Sequence, residues 1–179
     1  MGSAGDRLSS GAMSRYPAHV RRFFLLFAML AGAAPLAAKD SLGVFDDWGA
    51  FSDPGVPRCY AIAAADKAAG TYQAYADVGT WPRQGVRGQV HFRLSHALAP
   101  STRLSLSLGG TRYPLTGGGA DAWALDKPTN AAIVAAMRSA DSMSVTAVDR
   151  GGRRFTDRYS LQGAATAMDA ATVGCARVR

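Results

Sequence analysis

The stretch 102–119, "TRLSLSLGGTRYPLTGGG", constrains the fold more than any other part of this sequence. Apolar and polar residues alternate on both sides of Gly109-Gly110, and paired glycines can supply the positive φ angles of a two-residue hairpin turn. Folding the chain there places every apolar residue on one face, in the cross-strand pairs Leu104/Leu115, Leu106/Tyr113 and Leu108/Thr111. A slip of one residue would move this set to the opposite face. The stretch therefore predicts an antiparallel hairpin with a specified register.

Pro114 adds a prediction about the place of this hairpin in the sheet. In the register above, Ser105 and Pro114 form a non-hydrogen-bonded pair, so the missing amide of the proline points away from its partner strand. Because proline is found mainly on strands at the edge of a sheet, we expect the strand 111–116 to be an edge.

The rest of the chain predicts further short strands. They lie in "RCYAIAAAD", "TYQAYADVGTW" and "GQVHFRLSH", preceded by a short strand and loop in "DSLGVFDDWGAFSDPGVP". The segment "SMSVTAVDRGGRRFTDRYSL" predicts a second hairpin, with Gly151-Gly152 in its turn.

Two segments predict helices. The first is capped by Asp126 or Thr129, and its apolar face holds Asn130, Ile133, Val134 and Met137. The second carries the stripe Ala164, Met168 and Ala171, which continues onto Cys175 and is ended by Gly174. Seven or eight short strands with these two helices predict a single mainly-β domain over 39–179. We expect an antiparallel sandwich or small barrel with one inserted short helix and a C-terminal helix.

Residues 1–38 differ from the rest of the chain. A polar segment with four arginines precedes the apolar run "FFLLFAMLAGAAPLA", which ends in small residues at Ala38. This order is typical of a secretory signal peptide, whether the chain begins at Met1 or at Met13. We expect cleavage near Ala38, periplasmic or secreted localisation and no membrane span afterwards; the alternative is an uncut membrane anchor. General export is favoured over the twin-arginine route, whose signal "VRRFFLL" matches in part.

The charge of the expected mature chain is modest. From Lys39 onwards, 13 Arg and 3 Lys against 12 Asp give a net charge of +4. This charge favours solubility and weak attraction to anionic surfaces, and it does not indicate specific nucleic-acid binding. We expect a monomer without a cofactor or metal, whose partner is an envelope or surface protein or an anionic polymer.

Cys59 and Cys175 are the only two cysteines. In an oxidising compartment they would form a disulfide, and Cys175 lies on the apolar stripe of the terminal helix. Free thiols, an intermolecular bridge and thiol chemistry are the alternatives. The interpretation we favour is an intramolecular bond between Cys59 and Cys175.

The segment "AAMRSADSMSVTAVDRGGRRFTDRYSLQGAATAMDAA" resembles the invasion-associated locus B family of exported bacterial proteins. In that family a hairpin runs into a helix with the pattern Leu-x-Gly-x-x-x-Ala, matched here by Leu161, Gly163 and Ala167. Upstream, "DDWGAFSDPGVPRCYAIA" resembles the Trp-then-Cys opening of the family, although Phe51 and Ser52 stand where its first cysteine usually follows the Trp. The resemblance implies an immunoglobulin-like β-sandwich, a periplasmic or surface localisation and no established catalysis.

One basic segment is a candidate binding surface. "WPRQGVRGQVHFR" holds Trp81, Arg83, Arg87, His91 and Arg93. Because His91 and Arg93 share a strand face, the segment predicts contact with an anionic polymer or acidic protein. The alternative interpretation is a polar outer sheet face whose arginines serve solubility.

Catalysis is the less favoured alternative. A small periplasmic hydrolase would have to assemble its site from dispersed residues such as Asp47, His91 and Ser95. His91 and His96 are five residues apart and face opposite sides of a strand, so they do not predict a shared metal site. The sequence therefore favours a non-catalytic binding or envelope-related role.

Overall fold

The computed structural model describes residues 39–67 and 70–176, and the predicted signal peptide 1–38 lies outside the described residues. The strands are β1 Asp40–Phe45, β2 Trp48–Asp53, β3 Arg58–Ala64, β4 Tyr75–Trp81, β5 Val86–Arg93, β6 Leu104–Leu108, β7 Thr111–Gly118, β8 Asp121–Ala124, β9 Ser142–Val148 and β10 Arg154–Ser160. The helices are α1 Lys127–Met137 and α2 Ala164–Ala176, and a 3₁₀ turn covers Pro82–Gln84.

Hydrogen bonds join the ten described strands into one antiparallel sheet, in the order β1-β2-β3-β4-β5-β8-β7-β6-β9-β10. The mainly-β fold with one inserted helix and one C-terminal helix is confirmed. More strands form than the seven or eight expected, since the opening segment makes both β1 and β2 and Asp121–Ala124, at the start of the segment predicted to be helical, forms β8. The sandwich and its immunoglobulin-like character remain predictions.

The two ends of this sheet approach each other. Just after β3, the amide of Asp66 donates to the carbonyl of Arg158 in β10 at 2.7 Å. The indole of Trp48, which is fully buried, donates to the carbonyl of Ser160 at 2.9 Å. The sheet is therefore curled, with one face turned toward an apolar core.

The hairpin of β6 and β7 has the predicted register, from Leu104 opposite Leu115 to Leu108 opposite Thr111. The prediction that its second strand is an edge is wrong, because β7 lies between β6 and β8. The reason is the shortness of β8, whose last residue, Ala124, pairs with Leu115. Pro114 lies one position beyond that pair, so its missing amide costs no hydrogen bond to β8.

Two polar residues define the start of helix α1 and its attachment to the sheet. Asp126 is its N-cap and accepts from the amide of Thr129 at 2.8 Å, which satisfies one of the free N–H groups of the first turn. The side-chain oxygen of Asn130 accepts from the amide of Val90 at 2.9 Å, and its NH₂ group donates to the carbonyl of Gly88 at 2.8 Å. Ile133 and Met137 then point into the core.

Helix α2 packs on β1, β2, β3 and β4 through the predicted stripe Ala164, Met168, Ala171 and Cys175. Cys175 forms the disulfide with Cys59 in β3, with Cα atoms 5.5 Å apart, which confirms the predicted pairing. The prediction that Gly174 ends the helix is wrong, since the helix continues to Ala176. A Cβ atom at Gly174 would lie 2.5 Å from Leu42, so this glycine allows close packing against β1.

Each residue of the Leu-x-Gly-x-x-x-Ala pattern has a structural role at the start of α2. Leu161 and Ala167 are buried in the core. Gly163 has a φ of +83°, and a Cβ atom there would collide with the backbone oxygen of Phe45. Only glycine satisfies both conditions, because other residues rarely adopt this φ and every other residue has a Cβ.

Gly163→Ala should therefore destabilise the protein more than a positive φ alone explains. Gly152 in the turn between β9 and β10 is the matched control, with a φ of +76° and open space around it. We expect Gly152→Ala to cost about 1–2 kcal/mol and Gly163→Ala more than about 3 kcal/mol, because the latter also forces the backbone apart. Urea unfolding of the two variants would measure this, and equal losses would contradict the close approach to Phe45.

The disulfide spans 116 residues, so its removal should release nearly the whole domain in the unfolded state. We expect the double variant Cys59→Ala/Cys175→Ala to fold but to lose about 2–5 kcal/mol of unfolding free energy. Reductant should lower the stability of the wild type toward that of the variant and leave the variant itself unchanged. Thiol titration of denatured, unreduced protein should find no free thiol, and two free thiols would contradict the bridge.

Candidate functional site

The structure separates the predicted basic segment into two groups. Trp81, His91 and Arg93 lie on the outer face of β4 and β5, opposite the core residues Val78 and Val90. Arg83 and Arg87 lie in and beside the turn between these strands and line a cavity. Two glycines with positive φ, Gly85 and Gly88, divide the segment at this turn.

On the outer face, His91 joins three strands. Its Nδ1 lies 2.7 Å from a carboxylate oxygen of Asp77 in β4, and its Nε2 lies 3.1 Å from Asp121 in β8. Arg93 donates to both oxygens of Asp121, at 2.8 and 2.9 Å. We call Asp77, His91, Arg93 and Asp121 the carboxylate–histidine cluster.

The geometry of this cluster requires a protonated histidine. An ionised carboxylate only accepts hydrogen bonds, so both ring nitrogens of His91 must carry hydrogen to bond Asp77 and Asp121. Burial by itself would lower the pKa of His91, but the hydrogen bonds and charges of Asp77 and Asp121 outweigh burial and raise that pKa. Similarly, burial opposes ionisation of Asp121, yet Arg93 and His91 lower its pKa. The positive charges of His91 and Arg93 then balance the negative charges of Asp77 and Asp121.

Aromatic rings surround the cluster. The ring centroids of Tyr75 and Trp123 lie 5.8 and 5.2 Å from that of His91, and the guanidinium of Arg93 lies 5.1 Å from the ring of Tyr72. Burial, followed by the charge of Asp77, raises the pKa of the Tyr75 hydroxyl. These rings limit the access of water to the charges and strengthen their pairing.

Trp81 belongs to a separate stack on the same face. The guanidinium of Arg58 lies 4.4 Å from the ring of Tyr60 and 5.9 Å from that of Trp81. Tyr60 in turn stacks on Phe51 at 5.7 Å. Arg58 was missed by sequence reasoning, although its neighbour Cys59 was singled out. Cation–π contacts of this kind stabilise the sheet by about 0.5–1 kcal/mol each where they are exposed.

The three residues proposed for a hydrolase are each engaged with different partners. Asp47 is exposed in the turn between β1 and β2, where its amide donates to the carbonyl of Gln162 at 3.3 Å. His91 bonds the carboxylates of Asp77 and Asp121. Ser95 is 2% exposed and bonds Asp157 on the inner side of the sheet. The structure therefore does not bring these three side chains into one hydrogen-bonded group.

Ser95 does have a histidine and an aspartate beside it, but in an order that does not activate a nucleophile. Its hydroxyl lies 2.6 Å from Asp157 and 3.0 Å from Nδ1 of His96. Since the hydroxyl hydrogen is donated to the carboxylate, Nδ1 of His96 must donate to the serine oxygen and does not accept its proton. A catalytic triad needs the histidine between the other two residues. The buried carboxylate of Asp157 instead fixes the chain after β5.

The cavity beside Arg83 and Arg87 has a volume of about 630 Å³. Its wall includes Val134 and Arg138 of α1, and its floor includes Val78 of β4 with Met168, Ala171 and the disulfide residue Cys175. Arg138 forms an ion pair of 2.8 Å with Asp169, which joins the two helices beside the cavity. No described carboxylate lies within ion-pair distance of Arg83 or Arg87. These two arginines are exposed.

A metal-binding cluster and a membrane-spanning helix are both absent from the described ranges 39–67 and 70–176. These ranges contain no group of three or more His, Cys or Asp side chains placed to hold a metal ion. Within the same ranges, no helix has both the length and the apolar character needed to cross a membrane.

No protein-family model matches this chain, and comparison with curated proteins and with solved structures finds no significant match. The resemblance to the invasion-associated locus B family therefore remains a prediction.

The carboxylate–histidine cluster predicts stability that depends on the protonation of His91. Because the pKa of His91 is raised in the folded state, its contribution should be complete below pH ~6.5, the value for an unfolded chain. The contribution should then be lost as the pH rises through the folded-state pKa. Urea unfolding from pH 6 to 9 should show falling stability in the wild type.

Two variants control this prediction. His91→Gln removes the titrating group and should flatten the pH dependence. His96→Gln leaves the cluster intact and should keep the wild-type slope. A wild-type slope that persists in His91→Gln would contradict the assignment to His91.

Proposed function

We propose that this chain is an exported periplasmic or surface protein that binds an anionic envelope partner without catalysing a reaction. The observation that carries the proposal is the pair Arg83 and Arg87. Both are exposed at the mouth of a cavity, and neither has a carboxylate partner among the described residues. As far as the described residues 39–67 and 70–176 are concerned, their charges are available to a partner outside the chain.

The environment of the other positive charges near this segment supports placing the contact at Arg83 and Arg87. His91 and Arg93 are balanced by Asp77 and Asp121, and Arg58 is stacked on aromatic rings. Charges that are already paired, as those of His91 and Arg93 are, add little to the attraction of a further anion, and Arg58 is half-buried beneath its aromatic neighbours. We therefore centre the proposed contact on Arg83 and Arg87, and we assign the carboxylate–histidine cluster a structural role.

Export is supported from both ends of the chain. The leader 1–38 has the charged-then-apolar order of a signal peptide. The disulfide between Cys59 and Cys175 is of a kind that persists in oxidising compartments and is rare in the cytosol. The periplasm or the cell exterior satisfies both observations.

The resemblance to the invasion-associated locus B family supports a role without catalysis. The positions that carry it, Leu161, Gly163 and Ala167, serve the packing of α2 on β1 and the core. The resemblance therefore concerns the fold and the localisation, and it implies no catalytic residue. The association of that family with host invasion is not part of the proposal.

Reversing the two free charges should weaken binding to the envelope. We expect Arg83→Glu/Arg87→Glu to reduce co-sedimentation of the purified protein with isolated envelope fragments severalfold at low salt. The difference should shrink as the ionic strength rises, because salt screens exposed charges.

The matched control is Arg112→Glu/Arg154→Glu, which changes the net charge equally at two exposed strand positions away from the cavity. This variant should sediment much as the wild type does. Equal loss in both variants would mean that only the overall charge matters, and unchanged association of Arg83→Glu/Arg87→Glu at low salt would overturn the proposal.

A further inference from the structure

The cavity between the two helices is basic at its mouth and apolar at its floor. Arg83 and Arg87 are exposed at the mouth, and the buried side chains of Val78, Met168 and Ala171 line the floor beside the disulfide residue Cys175. Its volume of about 630 Å³ falls within the range of sites for small ligands, roughly 300–1,000 Å³. A ligand of this cavity must be complementary both to the basic mouth and to the apolar floor.

We propose that this cavity binds a single-chain anionic amphiphile, whose acidic head group contacts Arg83 and Arg87 and whose hydrocarbon chain lies between α1 and α2. This inference rests on the proposed function and deepens it, since it names the chemical class of the anionic partner at the same arginines. The head group is a carboxylate or a phosphate, as in a fatty acid or a single-chain phospholipid.

The charge at the mouth selects the head group. A guanidinium presents several N–H donors in a plane that matches the paired oxygens of a carboxylate or phosphate. The third arginine of the wall, Arg138, is already paired with Asp169 at 2.8 Å. Among the arginines of the lining, Arg83 and Arg87 are therefore the two without a described carboxylate partner, and we place the head group at them.

The floor selects a hydrocarbon chain over a polar molecule such as a sugar phosphate. Two of the polar atoms that border it already have partners within the chain. The hydroxyl of Thr172 donates to the carbonyl of Met168 at 2.8 Å, and the hydroxyl of Thr80 accepts from the amide of Gly88 at 3.1 Å. A ligand with buried hydroxyl groups would find few partners there, which is costly, whereas methylene groups need none.

The test uses the disulfide-bonded protein, expressed with its own leader, and titration calorimetry below the micelle concentration of each ligand. Octanoate, decanoate and dodecanoate should bind with affinity that rises roughly fourfold for each added methylene, as expected when each methylene is buried. Dodecyl phosphate distinguishes the phosphate source from the carboxylate source. Dodecanol, with the same chain and no charge, should bind at least tenfold more weakly than the better of the two dodecyl anions.

Variants locate the binding. Arg83→Glu/Arg87→Glu should weaken binding of the dodecyl anions at least tenfold. Thr172→Trp places a ring at the exposed rim of the cavity and should block all ligands, whereas Val173→Trp, at the next exposed position and outside the cavity lining, should bind like the wild type. Circular dichroism and unfolding of both Trp variants verify that they fold.

The inference would be overturned by no binding of any dodecyl anion, by affinity independent of chain length, or by equal binding by Thr172→Trp. A dimer in size-exclusion chromatography that Thr172→Trp disrupts would show that a second copy covers the cavity, and this too would overturn it. If no amphiphile binds while Arg83→Glu/Arg87→Glu still loses envelope association, only this inference fails. If amphiphiles bind and envelope association is unchanged, the proposed function fails.

Discussion

The bond between Cys59 and Cys175 is the constraint on which the arrangement of the C-terminal half depends. It holds α2 against β3, and through that contact against β1, β2 and β4. Because α2 is the last described element, its position would otherwise rest on small side chains such as Ala164, Ala167 and Ala171. Alanines bury little apolar area, so they contribute little to docking. The disulfide therefore supplies stabilisation of the docked helix that the packing of these small residues does not.

Small residues have a second consequence for this helix. Gly163 and Gly174 allow its backbone to approach Phe45 and Leu42 of β1 more closely than any larger residue would permit. Close approach raises the packing density around α2 and shields the disulfide, since Cys59 is fully buried and Cys175 nearly so. A buried bridge is less accessible to thiolates that would exchange with it. The glycines, the alanines and the cysteines thus act together.

The sequence predicted the local parts of this structure well because their determinants are local. The register of β6 and β7 follows from alternation around two glycines, and the stripe that ends at Cys175 follows from helical spacing. The errors arose where a distant element decides. Pro114 was assigned to an edge because the length of β8 cannot be read from the hairpin, and Gly174 was assigned to a helix end because its contact with Leu42 is remote.

The same distinction explains what could be predicted of the candidate site. The basic segment was visible, and so was the shared face of His91 and Arg93. Their neutralisation was not, because Asp77 and Asp121 reach them from other strands, 14 and 30 residues away from His91. Sequence density of positive charge therefore overestimated the available charge. Only the three-dimensional pairing shows that Arg83 and Arg87 are the members of that segment whose charges remain free of described carboxylates.

The disulfide also links the proposed localisation of the protein to its proposed binding function. Cys175 lines the cavity between α1 and α2, so the bridge is part of the site's floor as well as the anchor of its wall. In a reducing compartment α2 would lose this covalent anchor, and only non-covalent packing would hold Met168 and Ala171 in place. We therefore expect the cavity to be less stable in a reducing compartment. Under the proposed function, export would stabilise the cavity through this disulfide as well as bring the protein to its anionic partner.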